Sequence, residues 1–346
     1  MYLTRQLSHS FCRCVFFSPQ CPRRQSLAVP PQAANRRNLR NLRLHRCSRL
    51  FRSAGASATA LEPAPVQSSR ARALLFVVIA AVLWSTSGAI LKSLPSVHWL
   101  AIAGVRSLFT SLIFIPGLRA RGRPKAATLA ACVVVYAILV TTLMGSMQLG
   151  TAAQGIWLQY IAPAVVGLYA WLVQRQRIRP VETAALVLTV VAVLLIALGG
   201  SGRAHQQSVA LGLISGVAFG AFVLLLKSVG DAPPASIFLW TNLGTAVIVV
   251  PIALATGAPF PNEPREWAML AVMGWFQLGI AYYFFQWGLA RARVVEVSLI
   301  ALIEPVLNPI WVYLLLREVP SPRVIIGCAL MAAALAATAF APNRER

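Results

Sequence analysis

A carboxylate, a proline and an amide lie together inside one apolar run near the C-terminus. The run LIALIEPVLNPIWVYLLLRE (299–318) has Glu304 and Pro305 near its centre and Asn308 one helical turn later. An acid at the centre of a bilayer costs about 2.5–3.5 kcal/mol on insertion scales, so it tends to face the protein interior and to have a partner. Pro305 cannot donate its backbone nitrogen and frees the carbonyl one turn earlier. The pattern fits a substrate or proton site on a bent helix; a polar contact that links helices is the alternative.

Arg106 is the cation whose predicted depth is compatible with that acid. It lies in the apolar run that begins at Trp99, and at 1.5 Å per residue it sits about 10 Å below the membrane surface, whereas Glu304 sits about 15 Å below it. An arginine side chain can bridge a difference of about 5 Å, so we predict that the two residues interact in at least one state of the protein. The alternative is that Arg106 binds backbone carbonyls.

Uncharged polar residues in other apolar runs are further candidates, either as ligand contacts or as interhelical hydrogen bonds. Tyr282 and Gln286 share one helical face through their i,i+4 spacing. The predicted substrate or coupling residues are Glu304, Arg106, Asn308, Gln159, Tyr160, Tyr282 and Gln286, and the predicted kinks are at Pro163 and Pro305. The spacing of the six cysteines is not that of a paired zinc site, and we predict neither a metal nor a cofactor.

Long apolar segments make up most of the chain and must position these residues. The sequence is 58% hydrophobic with a mean hydropathy of +0.69, and continuous apolar runs of bilayer length favour helices over a barrel. The fold class is therefore an all-α membrane protein with ten transmembrane helices. The predicted spans are 73–94, 99–118, 126–149, 152–173, 181–198, 209–229, 235–255, 267–289, 294–316 and 324–340.

The charge distribution predicts an orientation. The net charge is +22, but no nucleic-acid reading motif accompanies it, so we expect no nucleic-acid partner. With the N-terminus inside, the inner segments hold 14 Lys and Arg and the outer segments hold 5. Because cytoplasmic loops carry the excess of basic residues, both termini are predicted to lie in the cytosol or the equivalent compartment of an organelle.

The two halves of the apolar region resemble each other. WSTSGAILKS (84–93) aligns with FGAFVLLLKS (219–228) at an offset of 135, and the offset later becomes 142. The matched pairs are Lys92 with Lys227, Pro116 with Pro251, Pro163 with Pro305 and Pro180 with Pro322. Since each half has an odd number of spans, the halves enter the membrane from opposite sides, as in transporters built from inverted repeats. We expect one five-helix repeat at 70–200 and another at 206–346.

The segment EPVLNPIWVYLLLRE resembles the second-half signature of EamA-type members of the drug/metabolite transporter superfamily. That signature is a mid-helix Glu-Pro, an apolar stretch and a Glu at the helix end, which is Glu318 here. Lys92, Lys227 and Arg106 also fit the pattern. The resemblance covers roughly residues 73–341 and implies ten helices and the movement of small metabolites, but it does not fix one substrate.

The first half departs from this pattern. Ala162 precedes Pro163 where an acid could stand, and Gln174 and Arg175 occupy the place of the helix-end Glu. These differences put a symmetric role for the two halves in doubt.

The first 69 residues form an Arg-rich leader with no acid before Glu62. Such a composition cannot bury a core and is typical of disorder. The leader is either an organelle transit peptide or the product of a mis-assigned start. The protein is therefore placed either in a bacterial inner membrane or in an organelle membrane such as that of a plastid.

The sequence favours a secondary transporter of small metabolites, with amino acids and related compounds among the candidates. It would work by alternating access at a midplane site between the repeats. An organelle-envelope metabolite exchanger of the same superfamily is an alternative. A membrane-embedded enzyme is disfavoured because Asp231 is the only Asp in the chain; a non-transporting scaffold stays open. The expected partners are a small-molecule substrate and the lipid bilayer, and a homodimer is left open.

Overall fold

A computed structural model describes residues 66–340, except 120, 121, 123, 178 and 231, and gives no side-chain description for 66–69, 294 and 295. The predicted leader lies outside the described residues, apart from the first turn of the first helix. Every regular element in the described part is helical, which confirms the all-α class.

The helices follow the apolar runs closely because backbone groups in a bilayer must bond within their own segment. A 3₁₀ turn covers Ile115–Arg119 and a π-helical segment covers Met273–Ile280. The α-helices are α1 (Val66–Ser85), α2 (Ser87–Lys92), α3 (Trp99–Ile113), α4 (Ala126–Leu149), α5 (Ala152–Gln159), α6 (Ala162–Leu172), α7 (Pro180–Ala197), α8 (Arg203–Leu226), α9 (Pro234–Ala255), α10 (Pro264–Val272), α11 (Ala281–Leu289), α12 (Val294–Ala301), α13 (Ile303–Leu316) and α14 (Pro322–Phe340).

These elements make up ten spans, numbered here in chain order. By length and composition, nine stretches in the described part are long and apolar enough to cross a membrane. The second span, helix α3 over Trp99–Ile113, is shorter at 15 residues. Five of these spans precede residue 200 and five follow it, so the second repeat is inverted relative to the first.

Three spans are broken near their middle. Span 1 breaks at Thr86, span 4 at Tyr160 and Ile161, and span 9 at Leu302. The breaks in spans 4 and 9 correspond at the offset of 142, and each lies three residues before a proline of the matched pair Pro163 and Pro305. Because proline cannot donate to the carbonyl four residues earlier, the helix before it loses a bond and bends.

The ends of spans 4 and 9 also share an uncommon backbone conformation. Arg175 has φ of 55° and Arg317 has φ of 57°, both in the left-handed region. The two residues are 142 positions apart, so the repeat seen in the sequence is present in the backbone as well. Arg317 directly follows α13 and ends it, whereas Arg175 lies three residues after the last residue of α6.

Glycines spaced every four residues bring span 6 close to span 4. A Cβ atom at Gly216 would meet Ile161 and would lie 2.7 Å from the carbonyl oxygen of Leu158, and one at Gly220 would lie 2.8 Å from Val165. Gly212, Gly216 and Gly220 therefore form a close-packing face of span 6.

Candidate functional site

Glu304 lies in the first turn of α13, directly after the break in span 9. The hydroxyl of Tyr160, at the break in span 4, donates to Glu304 Oε2 over 3.1 Å and also lies 3.3 Å from the carbonyl oxygen of Ala301. Ala301 is four residues before Pro305, so this is the carbonyl that the proline frees. Glu304 is only partly exposed. The two symmetric breaks therefore meet at one carboxylate.

Arg106 lies in the buried part of α3 with 3% exposure. Its Nε atom has no hydrogen-bond partner within the described part of the chain, and no described carboxylate lies within 4.0 Å of its guanidinium. It interacts electrostatically with the phenols of Tyr136 and Tyr282. The predicted ion pair between Arg106 and Glu304 is thus not formed in this structure, and whether it forms in another state stays a prediction.

Tyr282 is near enough to both charged groups to interact electrostatically with Arg106 and with Glu304. Its ring packs against Trp84 of span 1 at 5.2 Å and Phe238 of span 7 at 4.0 Å between centroids. The π-helical segment immediately precedes α11, the helix that carries Tyr282. Arg106, Tyr282 and Glu304 therefore define a central polar site in which one phenol interacts with both a cation and an acid.

The other predicted residues make helix contacts. Asn308 Nδ2 donates to Ser87 Oγ over 3.0 Å, while Asn308 Oδ1 packs over Gly88 and has no partner within the described chain. Gln159 Nε2 lies 3.5 Å from Ser215 Oγ of span 6. Gln286 Nε2 is buried without a partner among the described residues. The structure thus groups Asn308 and Gln159 with interhelical bonds and places Tyr160 and Tyr282 beside the charges.

Tyr136 was not singled out by the sequence. Its hydroxyl lies 3.5 Å from Asn242 Oδ1 and close to Tyr282, and it is buried in the middle of α4. A single tyrosine inside a 24-residue apolar helix was the available signal, since buried hydroxyls need a partner.

Lys92, at the end of span 1, does not extend into water as a lysine at a helix end commonly does. Its Nζ atom instead lies 2.8 Å from Glu318 Oε2 and donates to the carbonyl oxygen of Gly150 over 2.6 Å. The carboxylate at the end of span 9 and a loop carbonyl are close enough to hold the ammonium within the protein.

No group of three or more His, Cys, Asp or Glu suited to a metal ion occurs among the described residues. A surface depression of about 510 Å³ is lined by Leu168, Trp171 and Leu186, none of which belongs to the central polar site. The chemistry available at the site is therefore charge recognition by Arg106 and Glu304 and hydrogen bonding by phenols.

Ten spans in two inverted repeats, with broken helices meeting at polar groups, define a multi-pass membrane transporter. A sequence model of the EamA-like transporter family matches residues 71–198 and again residues 206–340. The chain belongs to this family, as its EPVLNPIWVYLLLRE segment suggested.

Individual proteins agree with the family assignment. The chain is 24% identical over 283 residues to the uncharacterized transporter YwfM of Bacillus subtilis strain 168, covering 79% of this chain and 95% of that protein. A solved crystal structure shares the fold with a TM-score of 0.57 at 19% identity, covering 78% of this chain and 95% of the other.

Proposed function

We propose that this protein is a secondary transporter that moves small metabolites by alternating access. Its substrate site is the central polar site of Arg106, Tyr282 and Glu304, with Tyr160 as a further contact. One observation carries the proposal: a buried cation from the first repeat and a partly buried acid from the second interact with one shared tyrosine but form no ion pair with each other. A site shared between inverted repeats changes shape when the repeats move relative to each other.

The substrate class follows from the two charges. A buried charge without a partner is costly, and a ligand that supplies the missing partner recovers that cost. Arg106 fits a carboxylate, which a guanidinium binds through two parallel hydrogen bonds. Glu304 fits an ammonium group. The proposed substrates are therefore small zwitterions, namely amino acids and related compounds.

Alternating access fits the broken helices. Spans 4 and 9 bend at Tyr160 and Leu302, so the halves of each span can tilt separately about the site. A zwitterion bound to Arg106 and Glu304 connects the two repeats, which gives the substrate a different affinity for each arrangement of the bundle. Such a difference is what allows a ligand to shift the conformational equilibrium.

The test is counterflow in proteoliposomes that contain the full chain. Four matched probes are compared for each side-chain type: an amino acid, its amide, the corresponding amine without the carboxylate, and the corresponding acid without the amine. The amino acid should be transported at least about tenfold faster than the other three, since each of them leaves one buried charge unpaired. Equal transport of the amine or of the acid would contradict the zwitterion class.

Two variants locate the recognition of each charge. Arg106→Gln should remove the discrimination between the amino acid and its amide, and Glu304→Gln should remove that between the amino acid and the deaminated acid. Glu182→Gln is the matched control, because Glu182 pairs with Arg179 at the protein surface and should leave the selectivity unchanged.

A further inference from the structure

Three parts of the chain meet where spans 1 and 9 end. Lys92 Nζ lies 2.8 Å from Glu318 Oε2 and donates to the carbonyl oxygen of Gly150 over 2.6 Å. The other carboxylate oxygen, Glu318 Oε1, accepts from the backbone nitrogen of Ala152 over 2.8 Å. The two side chains are 18% and 21% exposed, so water screens this pair less than a surface ion pair. The contact joins the second repeat at Glu318 to the first repeat at Lys92 and at the span 3–4 connection.

The opposite face has no such contact within the described chain. At the repeat offsets, Lys92 corresponds to Lys227 and Glu318 corresponds to Gln176. Lys227 is exposed, and Gln176 carries no charge. The backbone nitrogen of Arg293, at the matching helix start, bonds within its own turn to Glu296.

One ion pair does join the repeats at that face, but it has a different form. Arg70 contacts Glu296, with 48% and 25% exposure of the two side chains. Because Arg70 begins span 1 and Glu296 lies near the start of span 9, this pair holds the same two spans together. The Arg70–Glu296 pair joins only spans 1 and 9, whereas Glu318 also bonds to Ala152 at the start of span 4.

Packing shows the same asymmetry. Helix α5, which starts at the Lys92 contact, has seven of its eight residues buried. Its repeat counterpart α12 has only Val297 and Ala301 buried among its described side chains. The bundle is therefore closed around α5 and looser around α12.

We propose that Lys92, Glu318 and the start of α5 form a latch that closes the substrate path at the face where spans 1 and 9 end. The transporter rests closed at this face because the other face has no equivalent contact. Opening requires that Glu318 release the backbone nitrogen of Ala152 and that Lys92 release Gly150. This inference rests on the alternating access proposed above and concerns the resting conformation rather than the substrate.

The test measures the accessibility of Val312, which is 1% exposed and lies in α13 between Glu304 and Glu318. The full chain without its native cysteines carries Val312→Cys, is reconstituted in proteoliposomes of known orientation, and is treated from the Lys92 face with a membrane-impermeant thiol reagent. Labelling should be slow with the latch intact. Lys92→Met and Glu318→Gln should each raise the labelling rate about five- to tenfold, since loss of the latch shifts the population toward the open form.

The conservative variant Lys92→Arg keeps a cation that can contact Glu318 and donate to Gly150, so it should label more slowly than Lys92→Met. Glu182→Gln is the control for removing an acid elsewhere and should not change the rate. A single cysteine at the exposed Ser201 normalises for insertion and reagent access, and monodisperse elution in detergent shows that each variant is folded.

Unchanged labelling of Val312→Cys in Lys92→Met and Glu318→Gln would overturn the latch, as would a Lys92→Arg variant that labels as fast as Lys92→Met. Because the readout is accessibility, the two proposals fail separately. A labelling increase without zwitterion transport supports the latch and contradicts the substrate class. Zwitterion selectivity without a labelling increase supports the substrate class and contradicts the latch.

Discussion

Glu304 and Arg106 each lack an oppositely charged protein partner within the described chain, yet both lie inside the bundle. An ion pair between them would neutralise the site, whereas two unpaired charges can each be matched by a ligand. The cost of leaving each charge unpaired is the physical reason why we propose a zwitterion, rather than a molecule with one charge, as the substrate.

We expect Glu304→Gln and Arg106→Gln each to lower the transport rate about ten- to a hundredfold, because each leaves one end of the substrate unrecognised. The double variant should lose less than the product of the two single losses, since each single change leaves the other charge buried and unpaired. Initial uptake rates over a range of pH measure the cycle. Strictly multiplicative losses would show that the two charges act independently.

Tyr160 is predicted to position the Glu304 carboxylate. Tyr160→Phe removes the 3.1 Å hydrogen bond to Glu304 and should lower the transport rate about ten- to a hundredfold, because a net hydrogen bond to a charged group contributes about 1.5–3 kcal/mol. Tyr169→Phe on the exposed surface of the same span is the control and should have no effect. A native transport rate in Tyr160→Phe would contradict the prediction that the Tyr160 hydroxyl positions the Glu304 carboxylate.

At the scale of elements, the breaks in spans 4 and 9 and the glycine face of span 6 act together. The breaks place Tyr160 and Glu304 opposite each other, and the glycines let span 6 approach span 4 beside the break at Ile161. Small residues are what permit such close helix contact in a membrane, where the hydrophobic effect does not drive helices together.

The glycine face predicts a matched pair of stability effects. Gly216→Ala would place a Cβ atom 2.7 Å from the carbonyl oxygen of Leu158, and such overpacking costs about 1–3 kcal/mol. Gly167→Ala meets nothing within 4 Å and should leave the thermal unfolding temperature in detergent almost unchanged. If both variants unfold at the same temperature as the native protein, the close contact between spans 4 and 6 at Gly216 does not contribute to stability.

At the scale of the whole molecule, the inverted repeat determines which loops share a side of the membrane. The charge count predicts that Lys125 lies on the inner side and Gly202 on the outer side, since basic residues stay in cytoplasmic loops. Single cysteines at these two positions should react with an impermeant thiol reagent from opposite sides of oriented vesicles. Reaction of both from one side would exclude the inverted arrangement.

The sequence by itself determined the features that depend on neighbours along the chain. The predicted span 126–149 coincides with α4, because the length of an apolar run fixes a membrane helix. The proline pair Pro163 and Pro305 likewise marked the breaks, because a missing backbone donor acts on the same helix. The offsets between the two repeats could also be determined from the sequence, since matched residues keep the same spacing in both halves.

Tertiary structure alone decided which side chains meet. Sequence gives a residue's depth, but the rotation of each helix about its axis is set by packing against its neighbours, and a side chain reaches only one of them. From depth alone we predicted that Arg106 pairs with Glu304. In this structure Tyr160 donates to the Glu304 carboxylate, and Tyr282 interacts with both Arg106 and Glu304. The same reason hid the contact of Lys92 with Glu318: residues 226 positions apart in the chain become neighbours only when spans 1 and 9 lie side by side.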